Sequence, residues 1–122
     1  MSAFINSPNP DDEFYISERC FITEISNSLD DPDVSIAKAR IEPGVTTAWH
    51  RLKDTSERYV VISGKGLVEV GDLAAQTLTP GDMVFIPPLC RQRISNIGTE
   101  DLVFLAICSP RFTPSCYQTL SQ

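Results

Sequence analysis

GVTTAWHRLKDTSERYVVISG, residues 44–64, carries the one histidine of the chain, His50, and a carboxylate seven residues further on, Glu57. A second stretch, GDMVFIPPLCRQRISN over residues 81–96, answers it. Alternate side chains of a β-strand share a face. Glu57, Tyr59, Val61 and Ser63 therefore form one set, Ala48, His50 and Leu52 a second, and Cys90, Gln92 and Ile94 a third. Trp49, Arg91 and Arg93 fall on the opposite faces of their segments. Along the chain Gly and Pro make break after break, at Pro43-Gly44, Gly64-Lys65-Gly66, Gly71-Asp72, Pro80-Gly81, Pro87-Pro88 and residues 96–98. Breaks at intervals of about ten residues mark short antiparallel strands closed into a sandwich or barrel. No window of helical length keeps a 3.6-residue period free of these breakers. The predicted fold is all-β, in one domain.

The two stretches resemble the paired motifs of the cupin superfamily. Gly44, His50, Glu57 and Gly64 fall on the spaced positions of the first family motif, with Leu52 where that motif has its second histidine. Gly81, Pro87 and Asn96 match the second, with Leu89 at its middle glycine and Gln92 at its histidine. The resemblance covers about residues 34–108 and implies a double-stranded β-helix, or jelly-roll barrel, with one central site. It also implies that His50, Glu57 and Gln92 point into the barrel as the positions that hold a divalent metal. An imidazole and a carboxylate are good ligands for iron, manganese, nickel or zinc, and an amide oxygen is a weak one. Two strong ligands in place of four make a poor metal site, since structural metals draw about 10–16 kcal/mol from their full donor set.

Read from chemistry alone, a carboxylate buried beside an imidazole shifts both proton affinities, which is the arrangement for acid–base work near neutral pH. The alternative is a polar pair, His50 hydrogen-bonded to Glu57 across the barrel, without catalysis. Tyr59 shares the inward face of Glu57 and is a candidate phenolic donor. Cys90 is a candidate inward thiol, although a small buried hydrophobe is the simpler reading. Lys38 and Arg40 share a face and could grip a carboxylate. The glycines match neither a dinucleotide-binding nor a P-loop pattern and read as turn residues.

The chain has 122 residues, a net charge of -6 and 42% hydrophobic residues, enough for a packed core. No Lys/Arg cluster offers a face for nucleic acid. No apolar run approaches the roughly 18 residues of a membrane span, and no secretory leader is visible, so the expected location is cytoplasmic. Cys20, Cys90, Cys108 and Cys116 lack CxxC spacing and read as reduced thiols. Residues 1–17 are expected to be an arm, 18–109 the barrel and 110–122 a tail that caps the barrel mouth or crosses to a neighbour. The last barrel strand, residues 101–109, is apolar on both faces, and the outer one is expected to meet a second copy in a homodimer. The expected function is binding of a small organic molecule in the barrel, with a metal-dependent oxygenase, isomerase or lyase as the enzymatic form, using His50, Glu57 and Tyr59. A non-catalytic binding or sensor module is the alternative, and a purely structural barrel the third reading.

Overall fold

The computed structural model describes residues 2–121. Its strands are β1 (Phe14–Ile16), β2 (Cys20–Ser26), β3 (Ser35–Ile41), β4 (His50–Leu52), β5 (Ser56–Ser63), β6 (Gly66–Val70), β7 (Gln76–Leu78), β8 (Met83–Ile86), β9 (Gln92–Asn96), β10 (Leu102–Ser109) and β11 (Tyr117–Thr119). They form a six-stranded sheet, β1-β2-β3-β10-β5-β8, and a five-stranded sheet, β11-β4-β9-β6-β7. Every pairing is antiparallel. The spacing of the breaks predicts an all-β sandwich or barrel, and the two sheets form the jelly-roll barrel that the resemblance implies.

The core lies between the sheets and follows the two-residue period. On β5 Glu57, Tyr59 and Val61 are buried, and on β9 Gln92, Ile94 and Asn96. Ile41, Ile86, Leu102 and Phe104 complete the apolar filling, each contributing roughly 1.5–3 kcal/mol of burial. The motif glycines serve the backbone. Gly64 sits at φ +86°, and a Cβ there would lie 2.7 Å from the Asp101 carbonyl oxygen. Asn96 ties three segments together: its Nδ2 donates to the carbonyls of Ile41 and Glu100 at 2.8 Å, and its Oδ1 accepts from Gly98 N at 2.9 Å. Leu89, at the place of a family glycine, has φ +64°. That left-handed conformation explains the glycine of the motif and costs a leucine roughly 1–2 kcal/mol.

Other expected elements and residues take definite places. Residues 14–16, read as part of an arm, form β1 and pair with β2. The tail returns to the barrel, where β11 pairs with β4 through Tyr117↔Leu52 and Thr119↔His50. Lys38 and Arg40 face outward, because Ala37 and Ala39 take the inner positions of β3. Arg40 is engaged by Glu13 at 2.7 Å and Asp101 at 3.2 Å, over the Phe21 ring, and grips nothing in the barrel. Cys90 precedes β9, half-buried against Gly71 and away from the central cavity. Trp49 packs outside between Arg91 and Arg93, whose guanidinium carbons lie 4.1 and 4.3 Å from its ring centre. The four cysteines are free thiols.

Candidate functional site

At one end of the barrel a cavity of about 190 Å³ opens between the sheets. His50, Leu52, Glu57 and Tyr59 line it, as do Phe112 and Tyr117 from the tail and Phe14 and Ile16 from β1. The barrel is not filled solid by its own side chains: the site expected from the two motifs is a hollow.

His50 enters from β4. Its Nδ1 lies 2.8 Å from the Ala48 carbonyl oxygen. A carbonyl only accepts, so Nδ1 carries a proton, and in the neutral form of the ring the bare nitrogen is Nε2. The imidazole stacks on Tyr117, with ring centres 5.1 Å apart and planes 15° from parallel. The group facing Nε2 is Glu18, whose Oε1 is 3.8 Å away, and the His50–Glu57 hydrogen bond that the sequence suggested does not form. Glu18 is placed by the backbone, since Ala48 N donates to the Glu18 carbonyl at 3.1 Å and Arg19 turns the chain with φ +75°. Burial raises the Glu18 carboxyl above the usual range, and the His50 imidazole, the Tyr117 hydroxyl and the Cys20 thiol offset part of that.

Glu18 was absent from the candidate residues, yet its signal was present. Cys20, Ile22 and Glu24 form the inward face of β2, all lining the cavity. Extending that alternation two residues back reaches Glu18.

Glu57 enters from β5, in the other sheet. Burial first, and the Glu18 charge second, push its carboxyl up to about 8. The Gln92 amide and the Cys108 thiol, whose Sγ lies 3.7 Å from Oε2, favour the ionised form and only moderate the rise. Glu57 Oε1 has no hydrogen-bond partner. At pH 7 the group is therefore chiefly a neutral acid with one oxygen uncommitted. Tyr59 Oη donates to Gln92 Oε1 at 2.6 Å, which answers the expectation of a phenolic donor. Burial, with Glu57 next, raises the phenol well above its ordinary value, so it stays protonated.

The metal set implied by the resemblance, His50, Glu57 and Gln92, does not assemble. Gln92 is fully buried outside the cavity wall, its oxygen is taken by Tyr59, and its remaining group is Nε2, a donor that acts on the Glu57 carboxyl without completing a hydrogen bond of good geometry. An amide N–H repels a cation rather than ligating it. Leu52 lines the cavity where a second histidine would stand. Among the described residues no three His, Cys, Asp or Glu side chains converge to hold a metal ion. As arranged, this donor set does not fit iron, manganese, nickel or zinc.

Residues 37–108 match the family model described as "Cupin domain". Among curated proteins, a glucose-6-phosphate isomerase from Pyrococcus furiosus is 40% identical over 63 residues, covering 48% of this chain and 33% of that protein. The chain thus spans about a third of the length of that relative. Among solved structures, KdgF from Halomonas sp. superposes with a TM-score of 0.80 at 16% identity, over 93% of this chain and 99% of that one. Pac13, a nucleoside dehydratase from Streptomyces, gives 0.77 at 15% identity, over 98% and 92%. At such identities the two structures speak for the fold alone. With the motif spacings, the two sheets and a family match over more than half its length, the chain belongs to the cupin family.

Proposed function

We propose that this cupin binds a small organic molecule in the cavity and moves a proton to and from it, with Glu57 as the acid and His50 as the base. The observation that carries this reading is Glu57: buried, held near pKa 8, with one oxygen unpartnered beside a hollow. A proton-transfer group works best when its pKa lies near the working pH. His50 Nε2 approaches the same cavity from the opposite sheet and offers the lone pair that a base needs. An acid on one wall and a base on the other suit reactions that take a proton from one atom and deliver it to another. Isomerisation and elimination of water both have that form, and a relative and a structural neighbour bear names of those two kinds. Tyr59 is the positioning residue, fixing the Gln92 amide that favours ionised Glu57.

A second reading, a binding module without turnover, is favoured by the Tyr59–Gln92 bond, which closes off a position where the family motif has a histidine. The two separate as follows. A thermal-shift screen of small polyols, sugars, amines and carboxylates is expected to give at least one stabilising compound, since saturation at 100 times the dissociation constant adds about 2.7 kcal/mol. Ala106→Trp, which fills the cavity wall, is expected to abolish that shift. Solvent deuterium is then expected to enter the bound compound with wild-type protein and to do so at least 100-fold more slowly with Glu57→Gln. A shift that survives the Ala106 substitution would contradict the cavity as the site. Binding without deuterium incorporation would establish the non-catalytic reading instead.

A further inference from the structure

Apart from the imidazole of His50, the side chains around the cavity that can carry a full charge near neutral pH are all carboxyls. Glu24, Glu18 and Glu57 line it, and among the described residues no lysine or arginine does. The three carboxyls also stand at graded depth: Glu24 is exposed, Glu18 is mostly covered, and Glu57 is buried. The aromatic rings of Phe14, Tyr59, Phe104, Phe112 and Tyr117 supply the rest of the polarisable wall. An anion entering this space would leave water and find no lysine or arginine to pair with, while the rim carboxylate of Glu24 repels it. A phosphate or carboxylate ligand is therefore disfavoured, whatever the relatives of this chain act on. A cation gains at each of the same points. It is drawn in by the rim carboxylate, it is attracted to ring faces, and an N–H can fill the vacant Oε1 of Glu57.

Resting on the reading of this cavity as a ligand site, we infer that its ligand class is an organic cation, a protonated amine of up to about a dozen non-hydrogen atoms, with its ammonium at Glu57 and Glu18. The ammonium donates to Glu57 Oε1, which accepts a hydrogen bond while the carboxyl keeps its proton, and to the Glu18 carboxyl beside it. A hydrocarbon or aromatic body then lies against the phenyl rings and Leu52.

The test is a matched trio, benzylamine, benzyl alcohol and benzoate, titrated into the full chain at pH 7 and low salt by calorimetry. The ammonium is expected to bind at least ten-fold tighter than the alcohol, and benzoate more weakly than either. Glu24→Gln, at an exposed position that spares the fold, is expected to weaken the ammonium by about two- to three-fold and to leave the alcohol unchanged. An alcohol that equals the ammonium, or benzoate as the tightest ligand, would overturn the cation inference while leaving the cavity a binding site. Failure of all three to bind would overturn both. An ammonium preference undiminished in Glu18→Gln and Glu24→Gln alike would place the cation elsewhere and also overturn the inference.

Discussion

Glu57 and Asn96 show how far a motif residue's role depends on what surrounds it. Both occupy family positions, but Asn96 is structural. It satisfies the Ile41 and Glu100 carbonyls and the Gly98 amide, so Asn96→Ala is expected to cost about 2–4 kcal/mol in denaturant unfolding. A loss under about 0.5 kcal/mol would show that those groups find other partners. For Glu57 the sign of the pH dependence follows from its position. An ordinary carboxylate, as in the unfolded chain, titrates near 4.5, and the folded group near 8. Between those values the folded state holds a proton that the unfolded state has lost, so the stability that Glu57 contributes is fully present below about pH 4.5 and is lost by the time pH has passed 8. The slope from this one proton is up to about 1.4 kcal/mol per pH unit. Glu18 and Glu24 are shifted in the same direction. Glu57→Gln is therefore expected to flatten the decline between pH 5 and 8 without abolishing it, measured by urea unfolding across that range. An unchanged slope would contradict the assignment. That Glu57 and Tyr59 share a face was legible in the two-residue period, and the inward aim of His50 and Glu57 in the resemblance of the two motifs. The partner of His50 was not, because which carboxyl meets an imidazole depends on how two sheets close over one another.

Among the elements, β10 is the most exposed to a second use. Its inner residues Leu102, Phe104, Ala106 and Cys108 face the barrel, and Leu105 and Ile107 stand on the outside beside Val60 and Ile36. Ile62, Met83 and Phe85 continue that apolar outer face and are 51%, 57% and 46% exposed. We propose that this face pairs two copies of the chain. Ile62→Glu with Leu105→Glu is expected to turn a dimer into a monomer in sedimentation, with little change in the fold, and a wild-type monomer at micromolar concentration would contradict it. The two apolar faces of this strand were readable as an unbroken run in the sequence. The return of the tail to β4 was not, since Tyr117 and Phe112 sit in a Pro-rich segment without alternation. What recruits them is the open mouth of the barrel and the imidazole on which Tyr117 stacks. β1 was hidden for a similar reason: a three-residue strand gives no period to read.

For the molecule as a whole, the architecture followed from punctuation and spacing, because turns and inward positions are local requirements. The character of the site followed only from burial. Burial in the hollow pushes the Glu57 carboxyl, ordinary to look at in the sequence, up to about 8, and it raises the Glu18 carboxyl as well. With Leu52 and Gln92 in place of histidines, the barrel offers protein acid and base groups where its family motif offers metal ligands. The measurement that bears most directly on this account is a carboxyl-carbon NMR titration of Glu57 in protein labelled at glutamate, assigned with Glu57→Gln. The account predicts a midpoint near 8 for the empty cavity. A midpoint near 4.5, the ordinary carboxylate value, would contradict it.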